Sequence, residues 1–123
     1  MKPIAVEGMT ISHGAGSPAA GGTFSITTLP STTVFLEGSA VYRGTVAFNW
    51  SGGTYLGNAA TGSGTITVTA TKVLVDGSLV LREDDTGEMS GSYTNPSPPP
   101  ATIAFANAPV VVSNAGQTRG RAT

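Results

Sequence analysis

Apolar and polar residues alternate along several short stretches of this chain, and alternation with a period of two is typical of half-buried β-strands. The clearest case is residues 65–71, where Ile66, Val68 and Ala70 share one face and four threonines occupy the other. We therefore predict a strand there with one buried face.

Residues 45–50 show the same alternation, with Val46, Phe48 and Trp50 on a face that we expect to enter the core. The Ser-Gly-Gly sequence at 51–53 is expected to end this strand. Further short strands are predicted at residues 23–28, 102–106 and 110–113. No stretch shows the 3.6-residue period of an amphipathic helix, so the pattern indicates an all-β protein without significant helix.

Length and composition fit this picture. A chain of 123 residues has the size of one domain, and its 17 glycines and 8 prolines, together with abundant Ser and Thr, disfavour long helices. Residues 13–22 are rich in glycine and residues 93–101 in proline, and both are predicted to be surface loops. We treat residues 1–123 as a single domain.

Charge and cysteine content exclude several classes of function. Charged residues make up 11% of the chain, against about 25% in a typical soluble domain, and the net charge is −1. Nucleic acid is therefore not an expected partner, since binding phosphates needs a cluster of cations. The absence of cysteine excludes disulfides, thiolate catalysis and every zinc site that uses cysteine. No apolar run approaches the ~20 residues that span a bilayer, and the N-terminal residues do not resemble a signal peptide, which predicts synthesis in the cytoplasm.

An internal repeat is the most informative feature of the sequence. Residues 32–43 and 71–82 align without gaps at an offset of 39, with six of twelve positions identical. Each copy reads as an apolar strand, an acidic residue followed by Gly-Ser, and a second apolar strand that ends in Arg. That pattern predicts a tight β-hairpin whose glycine adopts positive φ. The predicted turn residues are Glu37, Gly38 and Ser39 in the first copy and Asp76, Gly77 and Ser78 in the second.

Residues 108–119 have a similar arrangement, with Asn114-Ala-Gly116 in the place of the turn. We interpret them as a degenerate third copy. Related hairpins imply a pseudo-symmetric body, so the expected architecture is a small conical or prism-like assembly of short β-hairpins.

The hairpin resembles the repeated element of the PAAR family, the conical tip proteins that cap the spike of type VI secretion systems and related contractile injection machines. Residues 34–43 and 73–82 match the family's strand, turn and strand ending in Arg, and Asp85 lies where the acid of a following Gly-Asp would fall. Ser12-His-Gly14 resembles the His-Gly element before the family's first hairpin. The resemblance covers roughly residues 9–121.

Some positions depart from the family pattern. Asp84 occupies the place of the family's glycine, and no acid follows Arg43 in the first copy. Members of the family commonly hold zinc with histidines and a cysteine, but His13 is the only such residue here, and zinc sites need three or four ligands. His13 is a weak candidate for a remnant metal ligand, but we expect it to be an exposed loop imidazole and predict no metal and no cofactor. The resemblance is to a divergent tip, such as those of phage-like injection particles.

Other candidate sites also have simpler structural explanations. The acidic residues 83–85 with Glu88 lack the spacing of a calcium loop, so we expect a solvated turn. Residues 16–23 have the glycines of a phosphate loop but Gly22 in place of its lysine. No nucleophile elbow is present, and His13 would be the only general base, which predicts that the chain is not an enzyme.

The resemblance implies a structural protein that caps and sharpens the spike of a contractile injection apparatus and aids membrane puncture. It implies a VgrG-like or phage-type trimeric spike as the partner, bound by one copy per trimer, with effector cargo as a further partner. It also implies assembly at the tip of an injection particle and delivery outside the producing cell. The alternative is an adhesin-like or carbohydrate-binding β-sandwich module, for which the aromatic residues Phe35, Phe48, Trp50 and Tyr55 would form a sugar-binding surface.

Overall fold

A computed structural model describes residues 1–96 and 99–123, and these residues form strands, turns and irregular segments but no helix. The strands are β1 Lys2–Pro3, β2 Thr10–His13, β3 Ala19–Ile26, β4 Phe35–Leu36, β5 Ser39–Ala40, β6 Val46–Tyr55, β7 Asn58–Ile66, β8 Leu74–Val75, β9 Ser78–Leu79, β10 Thr86–Asn95, β11 Ala101–Asn114 and β12 Arg121–Ala122. The predicted all-β fold without significant helix is confirmed. The described part of the chain accordingly contains no helix able to cross a membrane.

Six of the strands form one antiparallel sheet in the order β2-β11-β10-β7-β6-β3. The sheet curls until its two edge strands, β2 and β3, lie next to each other, which makes a nearly closed barrel. Closing a sheet in this way removes most of the unpaired edge that would otherwise attract other chains.

Glycines and bulges allow the sheet to curl so tightly. Gly62 of β7 faces Gly91 of β10, and a Cβ on Gly62 would lie only 2.6 Å from the carbonyl oxygen of Ser90. Extra residues are accommodated beside this pair at Gly52 in β6 (φ +72°) and Asn107 in β11 (φ +60°). A β-bulge bends its strand and increases the local twist, which is what a small barrel requires.

The barrel interior is filled by alternate side chains of these strands. Those that are fully buried include Phe48, Trp50, Ile66, Met89, Val110 and Val112. The aromatic residues are in contact, since the ring of Trp50 packs edge-on against Phe105 with centroids 6.3 Å apart. The prediction that Phe48 and Trp50 belong to the core is correct.

Strand boundaries differ from the sequence-based prediction at β3, which was predicted at residues 23–28, and at β6, β7 and β11. Strand β7 ends at Ile66, so residues 67–70 lie outside the sheet, although Val68 still packs against the core. Strand β6 does not end at the Ser-Gly-Gly sequence but continues to Tyr55, because Gly52 forms a bulge instead of a turn. Strand β11 joins the two predicted strands at 102–106 and 110–113 through the bulge at Asn107.

The two predicted loops are shorter than expected. Residues 10–13 and 19–26 are strands, so only residues 14–18 form the first connection. Residues 93–95 and Ala101 belong to β10 and β11, and the proline-rich segment connects these two strands. Residues 97 and 98, in the middle of that segment, lie outside the described residues.

Candidate functional site

Two short hairpins project from one end of the barrel at the positions of the internal repeat. Strands β4 and β5 are joined by Glu37 and Gly38, with φ of 51° and 83°, and strands β8 and β9 by Asp76 and Gly77, with φ of 52° and 82°. Positive φ at both central residues is the geometry of a type I′ turn. Ser39 and Ser78 are the first residues of the strands that follow.

A third strand pair of the same kind is formed by the two ends of the chain. Strand β12 pairs with β1 so that Ala122 lies opposite Lys2 and Arg121 opposite Pro3. One hydrogen bond shows the correspondence. Ile4 N donates to Gly120 O (2.8 Å), just as Val41 N donates to Val34 O (3.1 Å) and Val80 N to Val73 O (3.2 Å).

The prediction of a third hairpin at residues 108–119 was wrong in its location. Residues 108–114 belong to β11, where Val110 and Val112 point into the barrel and are fully buried. Gly116, in the predicted turn, has positive φ, but it accommodates a local bond from its own N–H to Asn114 Oδ1 (2.8 Å) and begins no strand pair. The alternation of buried valines determines the position of this segment in the barrel.

The three strand pairs are joined by a closed ring of backbone hydrogen bonds. Ala5 N donates to Leu81 O (2.8 Å), Leu81 N to Tyr42 O (3.1 Å), and Tyr42 N to Ala5 O (3.0 Å). Each of these residues lies two positions after the end of β1, β5 or β9. Each donates one of the three bonds and accepts another. The arrangement is approximately threefold although the chain is single.

We call this closed set of three bonds the inner ring. A second set of three backbone hydrogen bonds repeats the symmetry, and these run from Glu7 N to Ala40 O (2.7 Å), from Gly44 N to Leu79 O (2.8 Å) and from Glu83 N to Pro3 O (2.8 Å). We call the whole assembly the β-platform. It consists of β1, β4, β5, β8, β9 and β12 together with residues 4–7, 41–44 and 80–83.

The β-platform has its own hydrophobic core, separate from that of the barrel. Its buried residues are Ile4, Val6, Val41, Ala70, Val75, Val80 and Ala122. The residues of the inner ring, Ala5, Tyr42 and Leu81, belong instead to the barrel core and close the end of the barrel that adjoins the β-platform. Burial and the nearby Glu7 carboxylate raise the pKa of Tyr42 above its ordinary value.

The outer surface of the β-platform carries exposed apolar side chains at equivalent positions. Phe35 and Leu74 are the first residues of β4 and β8, with 55% and 61% of their surface exposed. Arg121 holds the same position in β12 and is also exposed. The residues that follow them in their strands point inward, and Val75 and Ala122 are buried.

Neighbouring pairs are connected at their corners by polar contacts. The Asp76 carboxylate accepts hydrogen bonds from Ser31 Oγ (2.7 Å) and Thr33 Oγ1 (2.9 Å), and Arg43 Nε lies 3.2 Å away. The two hydroxyl donors and then the Arg43 guanidinium hold the pKa of Asp76 below its usual range. The other turn acid, Glu37, lies 3.5 Å from Arg119 Nε. Both acids of the repeat therefore connect one pair to the next.

The acidic segment after the second hairpin is a turn, as the sequence predicted, but its last residue is not solvated. Asp84 is exposed, with φ of 71°, but Asp85 is buried, with 1% of its surface exposed. The Asp85 carboxylate accepts hydrogen bonds from the Thr69 hydroxyl and from Arg82 N (2.9 Å), which satisfies the buried charge. The spacing of Arg82 and Asp85, which follows a hairpin, was the signal that could have identified this contact.

His13 lies in the barrel wall at the end of β2 and is not an exposed loop residue. Its ring packs against Phe24 and Trp50, with centroids 5.1 and 5.3 Å away. Among the residues that the structure describes, no three His, Asp or Glu side chains are grouped as metal ligands.

The four aromatic residues considered for a sugar-binding surface do not share an exposed face. Phe48 and Trp50 point into the barrel, Phe35 lies on the β-platform, and the ring of Tyr55 stacks on Phe105 at 4.2 Å. No protein-family model, curated protein or solved structure matches this chain.

Proposed function

We propose that this chain is a structural tip protein that caps the trimeric spike of a contractile injection apparatus and aids puncture of the target membrane. The observation that carries the proposal is the approximate threefold symmetry of the β-platform, built from three like strand pairs in one chain. The hairpin motifs that resemble the PAAR family lie in this same platform.

A threefold spike ends in three identical surfaces around one axis. A cap of arbitrary shape would fit only one of them at a time, whereas three related strand pairs can contact all three in the same way. Only one molecule can occupy the axis, so the expected ratio is one chain per VgrG-like or phage-type trimer.

Exposed apolar residues on the β-platform support an interface at this end of the molecule. Phe35 and Leu74 are large, more than half exposed and at equivalent positions of two strand pairs. Large exposed apolar side chains that recur with the symmetry of a surface are typical of a site that is covered by a partner. Arg121, in the third pair, makes the match approximate and would favour one orientation of the cap on the spike.

The construction of the chain suits a mechanical role. The two edges of the sheet meet, and the β-platform closes the adjoining end of the barrel. The turns of the hairpins β4-β5, β6-β7 and β8-β9 have two residues each, and closing such short loops loses little chain entropy on folding. We propose that the protein is made in the cytoplasm, is assembled on the spike, carries effector cargo where one is present, and leaves the cell with the spike.

The proposal is tested by co-expression of the chain with its cognate trimeric spike protein, followed by native mass measurement of the complex. We expect one copy per trimer. The double variant Phe35→Ser, Leu74→Ser should reduce complex formation by at least tenfold, since each large apolar residue contributes about 1.5–3 kcal/mol when buried.

Leu56→Asn provides the matched control, because Leu56 (63% exposed) is about as exposed as Leu74 (61%) but lies in the turn between β6 and β7, away from the β-platform. It should leave the complex intact. Three copies per trimer, or no complex while immobilised glycans retain the protein, would overturn the proposal in favour of the carbohydrate-binding module.

A further inference from the structure

Charged residues are concentrated at one end of the molecule. All but one of the six basic and seven acidic residues lie in residues 2–7, 37–43, 72–85 and 119–121, which form the β-platform and its immediate connections. The exception is Glu88, the third residue of β10. The rest of the barrel, including its far end, contains no Asp, Glu, Lys or Arg.

The far end of the barrel is formed by residues 14–18, 55–58, 93–96 and 99–103, which we call the distal end. Strand pairing brings these segments together, since Tyr55 lies opposite Ala19 and Tyr93 lies opposite both Ala60 and Ile103. Strand β6 runs from Val46, next to the β-platform, to Tyr55 at the distal end.

The turn at the distal end has an unusual residue. Leu56 and Gly57 join β6 to β7 with φ of 51° and 81°, which is the same type I′ geometry as the two platform turns. The platform turns have Glu37 and Asp76 at this position, whereas here a leucine occupies it with 63% of its surface exposed. Positive φ is unfavourable for a bulky residue. Because the Leu56 side chain is exposed, burial of its apolar surface does not offset this conformational cost. A requirement for an apolar side chain at this point would explain the leucine.

The surroundings of Leu56 are also apolar or uncharged. Leu56 N donates to Pro18 O (3.0 Å), which holds the turn against the neighbouring loop. Elsewhere at the distal end, Ile103 is 37% exposed. Tyr55 and Tyr93 stack with ring centroids 5.1 Å apart, and both are half-buried. Tyrosine is a residue with an apolar body and a polar tip that favours the boundary between lipid and water.

We propose that the distal end binds the surface of a phospholipid bilayer, with the Leu56 side chain inserted among the acyl chains. The proposal rests on the proposed function for its setting, since the β-platform at the opposite end would face the spike. An end without charges avoids the large cost of moving ionised groups out of water. The same absence of charge disfavours a polyanionic partner, so binding should not depend on anionic lipid or on salt.

The absence of cysteine from the chain allows a direct test. Leu56→Cys and Leu74→Cys are each labelled with a fluorophore that reports the polarity of its surroundings, and each is mixed with phosphatidylcholine vesicles. The label at position 56 should shift to the blue, while the label at position 74, equally exposed in the unmodified protein but at the other end, should not. Equal shifts at both positions, or none at position 56, would overturn the proposal.

Flotation of the unlabelled protein with the same vesicles gives the second measurement. Leu56→Asn should reduce vesicle affinity about tenfold, which corresponds to about 1.4 kcal/mol and is within what burial of one leucine supplies. Asparagine tolerates positive φ, so the fold is preserved. Leu74→Asn should bind vesicles like wild type. Binding that requires anionic lipid, or that 0.5 M salt abolishes, would contradict binding through the uncharged distal end.

The result is separable from the spike experiment. If Leu56→Asn loses vesicle binding but still forms a complex with one copy per trimer, both proposals stand. If wild type caps the spike but no vesicle binding occurs, the lipid site is rejected and the cap is retained. If vesicles bind but no spike complex forms, the cap is rejected and the lipid site is retained.

Discussion

His13 Nε2 lies 2.8 Å from the carbonyl oxygen of Gly21, and this contact joins β2 to β3, the two edges of the curled sheet. Because a carbonyl can only accept, Nε2 carries the proton and donates. The same oxygen accepts a second bond, also 2.8 Å, from Trp50 Nε1 in the barrel wall. One backbone oxygen therefore connects the seam of the barrel to its largest core residue.

His13→Phe should weaken the contact between β2 and β3 without leaving a cavity. Phenylalanine keeps the ring contacts with Phe24 and Trp50 but cannot donate to Gly21 O, so we expect a loss of about 1 kcal/mol in the free energy of unfolding. Urea unfolding measures the loss, and faster hydrogen exchange of the β3 amides would localise it. Ser12→Ala, which removes an exposed hydroxyl pair with Ser113 on the other side of β2, is the control. A larger effect of Ser12→Ala than of His13→Phe would contradict a structural role for the seam.

Gly77→Val should cost more than about 1 kcal/mol of stability, since valine is strained at a φ of 82°. A Cβ at this glycine meets no atom within 4 Å, so the cost would be purely conformational. Gly38→Val should behave alike, because its φ of 83° and its open surroundings are the same.

Gly77→Asn distinguishes this cause from a general sensitivity of the turn, because asparagine tolerates positive φ and should lose clearly less stability than valine. Thermal unfolding of the three variants and wild type supplies the comparison. Variants with valine that melt with wild type would mean that the turns do not hold the geometry described for them.

The hairpins were predictable from the sequence because turn chemistry is local. An acidic residue and Gly between two apolar stretches specify a tight turn wherever they occur, and the repeat at residues 32–43 and 71–82 placed them correctly. The strand ends were not predictable in the same way. Gly52 reads as a stop in the sequence but forms a bulge in the sheet, and only pairing with β7 decides between the two.

Asp76 should make the protein more stable at neutral pH than in acid. Hydrogen bonds from Ser31 and Thr33, and then the charge of Arg43, lower the pKa of Asp76 in the folded state. A lowered folded pKa adds stability above the unfolded value of about 3.9 and loses it as the pH falls through the folded value. The difference in urea midpoint between wild type and Asp76→Asn should therefore be largest at pH 6 to 7 and shrink below about pH 4.

Ser31→Ala tests the assigned cause, because the Ser31 hydroxyl is the strongest of these donors. This variant should have a weaker dependence on pH than wild type, in the same acidic range. A wild-type profile that is parallel to that of Asp76→Asn at every pH would show that Asp76 is not responsible.

The third strand pair was not predictable because its two strands lie at opposite ends of the chain. Pro3 and Arg121 are 118 positions apart, and no local turn signal connects them. The sequence pattern of residues 108–119 favoured the wrong segment, since alternating valines suit either a hairpin or a long strand of the barrel. Asp85 was missed for a related reason, because its partner Thr69 lies on the far side of the second hairpin.

Ala122→Glu tests whether this terminal pair is an integral part of the β-platform. Ala122 is fully buried in the platform core, at the position that Val75 occupies in the second pair. The side chain at this position enters the apolar platform core, so a carboxylate introduced there would be taken out of water, and its burial should cost at least ~2 kcal/mol. Chemical unfolding measures the cost, and the exposed neighbour substitution Thr123→Glu should remain within about 0.5 kcal/mol of wild type.

Val75→Glu is the reference for the size of the effect. Chain ends often fray, and a frayed β12 would release the introduced carboxylate to water at little cost while Val75→Glu remained severe. Similar losses for the two variants would mean that the terminal pair is held as firmly as the hairpins. Two hydrogen bonds hold it, one from Ile4 N to Gly120 O and one from Gln117 Nε2 to Ile4 O (2.7 Å). A loss for Ala122→Glu below one third of that for Val75→Glu would reduce the β-platform to two firm pairs and one loose pair, and a threefold spike would then be contacted at two of its three sides.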